Sequence, residues 1–516
     1  MTRASATALL LLVFAGAAQP KDLIGVFEDA VHNDPVILQA DANRLAARES
    51  KPQAIASLLP QLNGTAGVTG DHNSGAQPFS TTAAVAAVPV TSDTTTRTWG
   101  VNLKQNVFSW ANWMTLKEAG REVAQAEANY QAAEQNLILR VSQAYFAVLA
   151  AYDTLQADQA SLEAISRQLD QANKRFEVGL IAITDVEDAK AARDTAAATV
   201  IAQKRTLATT EDQLQEITGQ KYDQLAKPGT EMPLKNPEPA DEGRWVDISL
   251  EQNLSLVSSR LAADIARDNV RIAIGGHLPT LDILAGRSYQ SQGVNETFGP
   301  YNSPILGQSF PAISASYDSY FNDRQITLQL TVPLFAGGAT QSKVRQTQYQ
   351  WIAAKEAVVQ SSRATERQAR DAYLGVIAGI ARVQALRQAV ESNRTALKAT
   401  EAGYDVGTRT SVDVLNARKN LVQAETDYST SRYDYIVSVL QLRLAAGNLD
   451  RAQLAEVNNW LSVTVPTSPA RVTPESVAPT IPAPQPAAPP PQAAPPPAAP
   501  PPATPPGATP PPGGRR

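Results

Sequence analysis

Asn112-Trp113-Met114-Thr115-Leu116-Lys117-Glu118-Ala119-Gly120 opens a stretch that runs to Glu177 with no proline and with Gly120 as its one glycine. Such a stretch predicts one helix of ~100 Å at ~1.5 Å per residue, far longer than the helices of ordinary globular domains. A second proline-free run extends from Thr340 to Asp405. Each is followed, after a tight turn, by a shorter helical run, Asp185 to about Leu225 and Asp413 to Ala446. The upstream segments Pro35–Leu58 and Leu254–Gly276 match the shortfall, so two shorter helices stacked end to end would equal one long one.

The chain is an internal repeat, the pattern to seek before any other. Phe176-Glu177-Val178-Gly179 returns as Tyr404-Asp405-Val406-Gly407, Asp185-Val186 as Asp413-Val414, and Gly219 as Gly447, all at an offset of 228 residues. Upstream, Leu59-Pro60-Gln61-Leu62 returns as Leu278-Pro279-Thr280-Leu281 at an offset of 219, which predicts a longer loop in the second copy between about Tyr289 and Asp323. The repeats cover residues 22–227 and 245–449, with a linker at 228–244 and a further segment at 450–465. Each contains short helices, a strand, a polar loop, a second strand and a helical hairpin, the hairpins at 112–225 and 340–447.

The hairpins carry a heptad seam. In the last helix Val414, Ala417, Leu421, Ala424, Tyr428, Ser431, Tyr435, Ser438, Leu442 and Ala445 alternate large with small. Small residues admit a neighbouring helix and large ones fill the holes it leaves. The matching seam of the first copy runs Val186, Ala189, Arg193, Ala196, Val200, Gln203, Leu207, Thr210, Leu214, Ile217.

Strands are expected near 60–70, 98–108, 280–290 and 324–335. Ile326, Leu328, Leu330 and Val332 alternate with Gln325, Thr327, Gln329 and Thr331, and Trp99, Val101, Leu103 and Val107 lie opposite Asn102, Lys104 and Asn106. One apolar and one polar face suits a half-buried sheet or a membrane barrel with a wet interior. Lengths of about 9–11 residues suit the barrel. The Gly/Ser/Thr/Asn-rich segments Asp71–Arg97 and Gln290–Asp323 are expected to be long loops on one side. Four strands cannot close a barrel, so the chain must oligomerise.

The ends are set apart by composition. Residues 1–18 hold Arg3, an apolar run from Ala6 to Ala18 and small residues at its end, as in a cleaved secretory signal. Of 36 prolines, 21 lie from Pro466 onward, and 466–516 is expected to be a disordered Pro/Ala-rich tail. There is no cysteine, hence no disulfide or thiolate site. A net charge of −5 without a basic block argues against nucleic acid. His32, His72 and His277 are scattered, with no metal spacing, nucleophile elbow or phosphate loop, so neither catalysis nor a cofactor is expected.

Each long helix ends at Val-Gly, Gly179 or Gly407, glycine supplying the left-handed cap. Thr184 with Glu187 reads as a capping box for the next helix, and Thr410 with Asp413 as a weaker one. In this setting Glu401-Ala402-Gly403-Tyr404-Asp405-Val406-Gly407-Thr408-Arg409-Thr410-Ser411-Val412-Asp413-Val414-Leu415 resembles the inner hairpin tip of the TolC family of outer-membrane channels. Arg175 to Val186 resembles the outer tip, and Gly276-His277-Leu278-Pro279-Thr280-Leu281-Asp282 the approach to a barrel strand. The likeness runs from about residue 22 to 460, and the tail departs from it.

The resemblance implies an α+β membrane protein with two strand–helical-hairpin repeats per chain. As a homotrimer it would form a 12-stranded outer-membrane β-barrel and a 12-helix periplasmic α-barrel tunnel. It would serve as a passive exit duct for tripartite efflux pumps or type I protein secretion, with a stand-alone porin or a structural envelope protein as the alternative. Its partners would be outer-membrane lipid, a periplasmic adaptor and an inner-membrane transporter of the resistance-nodulation-division, ABC or major-facilitator type. The adaptor would dock at Val178, Gly179, Leu180, Val406, Gly407 and Thr408. The periplasmic gate would involve Thr184, Asp185, Tyr404, Arg409, Asp413 and Asn416: Tyr404 and Arg409 tie inner coil to Thr184 and Asp185 of outer coils, and Asp413 forms an acidic ring. Asn416 stands where the family has a second acidic ring, which implies weaker cation selectivity. The two hairpins therefore differ where it matters: Phe176 becomes Tyr404, Ile181 becomes Arg409, and Asp188 becomes Asn416.

Overall fold

A computed structural model describes residues 21–81, 84–229, 232–302 and 307–467. The expected signal at 1–18 and all but the first two residues of the expected tail lie outside them. Two helices open the fold, α1 (Leu23–Asn33) and α2 (Pro35–Arg48), capped by Asp22 and Asp34, whose carboxylates accept from the Gly25 and Val36 amides. The second repeat has α6 (Glu242–Gln252) and α7 (Leu254–Gly275), capped by Asp241 and Asn253. These caps recur at the 219-residue offset, so the duplication extends to the groups that start each helix.

The duplication is imperfect in packing. The helix expected over Pro35–Leu58 is broken into α2 and α3 (Ser50–Ala56), whereas α7 is continuous. Pro52 is the cause: it has no amide to offer the Arg48 carbonyl, and its ring crowds that turn. The long helices are α4 (Trp110–Glu177, 68 residues) and α8 (Ala339–Asp405, 67 residues), with return helices α5 (Ile183–Thr218) and α9 (Ser411–Ala445). The first return helix stops short of the expected Leu225 because Gly219 turns it off at φ 72°. The last-helix seam is as expected: Val414, Ala424, Ser431, Tyr435 and Leu442 are buried and its other members half-buried. In the first copy only Arg193 stands out to solvent, at the one seam position with a charge.

The strands correct the expectation most. β1 (Gln61–Thr81), β2 (Ala84–Phe108), β4 (Thr280–Phe298) and β7 (Ile313–Thr331) form one antiparallel sheet in the order β1-β2-β4-β7. Most of the expected loops Asp71–Arg97 and Gln290–Asp323 is therefore strand. Their Ser and Thr, read as loop polarity, and their Val suit a ladder in which backbone groups find partners on the next strand. Asp71 faces Thr94 and Gly75 faces Val90 in that ladder. At ~3.3 Å per residue the sheet is some 60 Å long, more than twice an apolar bilayer band of ~25 Å. β7 ends at Thr331, so the apolar residues Leu334 and Phe335 lie beyond it, exposed. Between β4 and β7 the described residues hold the two-residue pair β5 (Tyr301–Asn302) and β6 (Ser309–Phe310).

The main core lies midway along the helices. Leu137, Ile138, Val141, Tyr145, Phe146 and Leu149 of α4 pack with α1, with Trp245 and with Tyr433, Tyr435 and Ile436 of α9. The end of the expected first repeat and the C-terminal segment contribute a small sheet here, β3 (Gln224–Pro228) against β8 (Leu461–Pro466), with α10 (Arg451–Asn458) just before β8. α6 begins inside the expected linker at Glu242, and Pro466 and Thr467, assigned to the tail, belong to the fold: Thr467 is buried and its hydroxyl donates to the Tyr222 carbonyl. Asp153 joins three elements, accepting from Lys227 Nζ (3.1 Å), Ser429 Oγ (2.7 Å) and Tyr433 Oη (2.8 Å). The Asp153 carboxylate is half-buried, and these three donors answer its oxygens where water reaches them less.

Candidate functional site: the hairpin tips

Both long helices end by the same device. The Leu180 amide donates to the Arg175 carbonyl (2.9 Å) and the Thr408 amide to the Gly403 carbonyl (2.8 Å), closing turns around Gly179 (φ 75°) and Gly407 (φ 80°). Nothing lies within 4 Å of where a Cβ would sit on either glycine, so it is the left-handed backbone alone that selects them. The starts of the return helices differ. α9 has a full capping box: the Thr410 amide and hydroxyl donate to Asp413 Oδ2 (2.9 and 3.0 Å), and the Asp413 amide donates to Thr410 Oγ1 (3.2 Å). The expected box at Thr184 and Glu187 is absent, since α5 begins two residues earlier, with Ala182 at the cap and no side-chain bond. Ile183 adopts helical geometry ahead of Thr184, which removes the hydroxyl from the capping position.

The two tips are tied to each other. Ser411 Oγ donates to Asp185 Oδ1 (3.2 Å), joining the start of α9 to the start of α5. Arg175 Nη2 donates to Asp405 Oδ1 (3.2 Å), and the same guanidinium lies 4.9 Å from the Tyr404 ring centroid, joining the end of α4 to the end of α8. Further up the second hairpin, Arg418 pairs with Glu401 (2.5 Å) and Arg394 with Glu425 (3.0 Å). Hydrogen bonds from Thr410, backbone first and hydroxyl second, hold the Asp413 carboxyl below its ordinary range, with the Arg409 charge a lesser cause.

Asp185 and Tyr404 thus both lie in contacts between the hairpins, with partners other than those expected. Within the protomer no hydrogen bond links Tyr404 or Arg409 to Thr184 or Asp185. Arg409 is exposed, its stem folded over Gly403, where a Cβ would lie 2.8 Å from Arg409 Cγ. Thr184 and Asn416 are exposed, and Asp413 serves its own helix. Arg175, Asp405 and Ser411 were not singled out from sequence. The 228-residue offset pairs Arg175 with Gly403 and Ile183 with Ser411, so polar groups present in one copy only were the available signal. The same offset pairs Asp185 with Asp413: one duplicated aspartate became a tie between hairpins, the other a helix cap. At the extreme end Val178, Leu180 and Val406 are about 70% exposed, an apolar tip with no cover in the protomer.

The sequence and the fold both have relatives. Residues 26–220 and 245–448 match the model of a family described as outer membrane efflux protein. The outer membrane protein TolC of Vibrio cholerae is 37% identical over 449 residues, 87% of this chain and 96% of that protein. The alkaline protease secretion protein AprF of Pseudomonas aeruginosa is 25% identical, covering 86% of this chain and 88% of its own length. The outer membrane channel CmeC of Campylobacter jejuni has the same fold, with a TM-score of 0.66 at 18% identity over 86% of this chain and 90% of that one.

Proposed function

The chain belongs to the outer membrane efflux protein family, and from that premise we propose that it is one of three identical subunits of an outer-membrane exit duct serving efflux pumps and type I secretion. The observation that carries the reading is the pair of strand–hairpin repeats with helices of 68 and 67 residues below an antiparallel sheet whose two edge strands, β1 and β7, are unpaired. Open edges of this length do not persist in a bilayer, where each unmet backbone group costs several kcal/mol. Joining β7 of one protomer to β1 of the next closes three four-stranded sheets into a barrel of twelve. The helical hairpins then continue it as a tunnel into the periplasm.

The duct is passive and non-enzymatic, and its closed end is the ring of hairpin tips. The Arg175–Asp405, Arg175–Tyr404 and Ser411–Asp185 contacts hold the second hairpin against the first, and Tyr404 and Arg409 add ties to Thr184 and Asp185 of neighbouring coils. Asp413 and Asn416 line the mouth. A periplasmic adaptor docks on the apolar tips around Val178, Leu180 and Val406, with Gly179, Gly407 and Thr408 beside them, and breaks these ties on behalf of an inner-membrane transporter. Opening is then the switch of a bistable interface biased by a partner. The test is planar-bilayer recording of purified Tyr404→Phe/Arg409→Ser. Conductance above the wild type's resting level supports the gate, and an unchanged resting level rejects it.

A further inference from the structure

The strand register places three arginines on one face of the sheet. Arg287 of β4 is directly opposite Arg324 of β7 and, on its other side, opposite Val101 of β2. Arg97 of β2 is opposite Ser291, which is opposite Tyr320. Directly opposed residues, and those two or four apart along a strand, share a face. This face also carries the apolar rows Leu330–Leu281, Leu328–Ile283 and Ile326–Ala285–Leu103–Leu62. It is therefore the lipid face of the barrel, on which this inference rests.

The three arginines lie within one short band of that face, Arg287 and Arg324 in one row and Arg97 four residues farther along. Arg287 and Arg324 lie six residues beyond the Leu330–Leu281 row, ~15 Å along the bilayer normal for a strand at ~3.3 Å per residue and ~40° tilt. Next comes the Trp99–Tyr289 row, rings stacked with centroids 6.1 Å apart, and then Arg97 with Tyr320. Arg287 also lies 5.8 Å from the Trp99 ring centroid. Stacked aromatics beside long basic side chains mark an outer headgroup level rather than the hydrocarbon centre.

Asp318 lies on the same face one row beyond Tyr320 but pairs with none of these arginines. All three arginines are exposed, and among the described residues none of them forms an ion pair. Two like charges directly opposed across a ladder repel each other. β1 supplies no counter-charge in these rows, where its residues are Gly64 and Val68. An arrangement of forked guanidiniums around an aromatic pair at a membrane surface matches a phosphate ester, which accepts two parallel N–H bonds from each fork.

We propose that Arg97, Arg287 and Arg324, grouped around Trp99 and Tyr289, bind the phosphate group of a phosphorylated lipid in the outer leaflet, one site per protomer. The phosphate offsets the Arg287–Arg324 repulsion, and its acyl chains lie along the apolar rows below. The site anchors the barrel at a fixed depth and seals its rim with an ordered lipid.

The test is native mass spectrometry of the full-chain assembly, purified in detergent and titrated with a bisphosphorylated acylated disaccharide lipid or with the same lipid after dephosphorylation. The wild type is expected to retain the phosphorylated form in preference, and Arg97→Gln/Arg287→Gln/Arg324→Gln to lose at least about tenfold in retention, as the loss of several charge-assisted bonds requires. The triple lysine variant should fall between them, since it keeps charge but not the fork. Equal retention of both lipids, or an unchanged glutamine variant, overturns the proposal. Displacement of the lipid by millimolar inorganic phosphate alone overturns the assignment to lipid. Each variant is also checked for assembly on gels and conductance in bilayers: a wild type that neither assembles nor inserts would refute the barrel reading, whereas intact channels with no phosphate preference refute only the lipid site.

Discussion

Replacing Arg175 by glutamine should loosen the proposed closed end of the duct. The side chain makes two contacts across the hairpins, the ion pair to Asp405 at 3.2 Å and the approach to the Tyr404 ring at 4.9 Å. The pair is wet, with Asp405 69% exposed and Arg175 35% exposed, so after solvent screening it contributes ~0.5 kcal/mol. The ring contact adds ~0.5–1 kcal/mol at such a site. The sum is about 1 kcal/mol per protomer. If three protomers open together the closed state loses ~3 kcal/mol, a shift of ~10² in the closed-to-open ratio. The assay is single-channel recording of the purified channel at 0.1 M and 1 M salt. The variant should show more frequent openings from the resting level at low salt. The difference should shrink at 1 M, where a Debye length of ~3 Å already screens the wild-type pair. Arg175→Lys should fall between the two. A glutamine variant with the wild type's open fraction at both salt concentrations would refute the reasoning, because it would mean that these contacts survive opening.

Other residues give independent tests. Asn416→Asp should increase the cation-to-anion permeability ratio, read from the reversal potential in a salt gradient; an unchanged potential removes Asn416 from the mouth. Burial, with smaller contributions from Asp212 and Asp223, raises the Glu211 carboxyl to about 7. An acid raised on folding leaves stability intact below its unfolded value and erodes it as pH rises through the folded one. Glu211→Gln should therefore raise Tm at pH 8 and leave it unchanged at pH 4, and equal effects at both would discard burial as the cause. Gly447 (φ 74°) and Gly179 (φ 75°) share a backbone conformation but not surroundings: a Cβ on Gly447 would run into the Gln252 backbone, whereas Gly179 faces open space. Gly179→Ala should cost about 1 kcal/mol in chemical denaturation, and Gly447→Ala several times more; equal losses would show that strain alone decides.

How far the sequence could be read follows from the range of the forces involved. Helix length, the Val-Gly stops and the large–small seam are local or periodic, set by a missing proline, a left-handed glycine and a side-chain volume every third or fourth residue. They were legible, as was the repeat that generates them. The break at Glu49 was legible in principle, because Pro52 was in view and its effect is local. The strand lengths were not. A Ser/Thr/Gly-rich segment is a loop or a strand according to whether a neighbour answers its hydrogen bonds, and only the ladder from Gln61↔Lys104 to Thr81↔Ala84 supplies that answer.

The same division runs through the tips. Tyr404, Asp185 and Asp413 could be picked out from sequence by type and by likeness, but their partners could not. Asp185 and Asp413 are identical in type and equivalent in the repeat, yet one accepts from Ser411 of the other hairpin and the other from Thr410 three residues away. Arg175 became important only because α4 and α8 end side by side, 230 residues apart in the chain. The sequence by itself determined a duplicated barrel-and-hairpin chain with capped tips, because pattern and capping are written within a few turns of each residue. The tertiary structure alone decided which charges meet and which, like Arg287 and Arg324, are left facing each other, because electrostatic partnership depends on separation in space and the chain order does not record it.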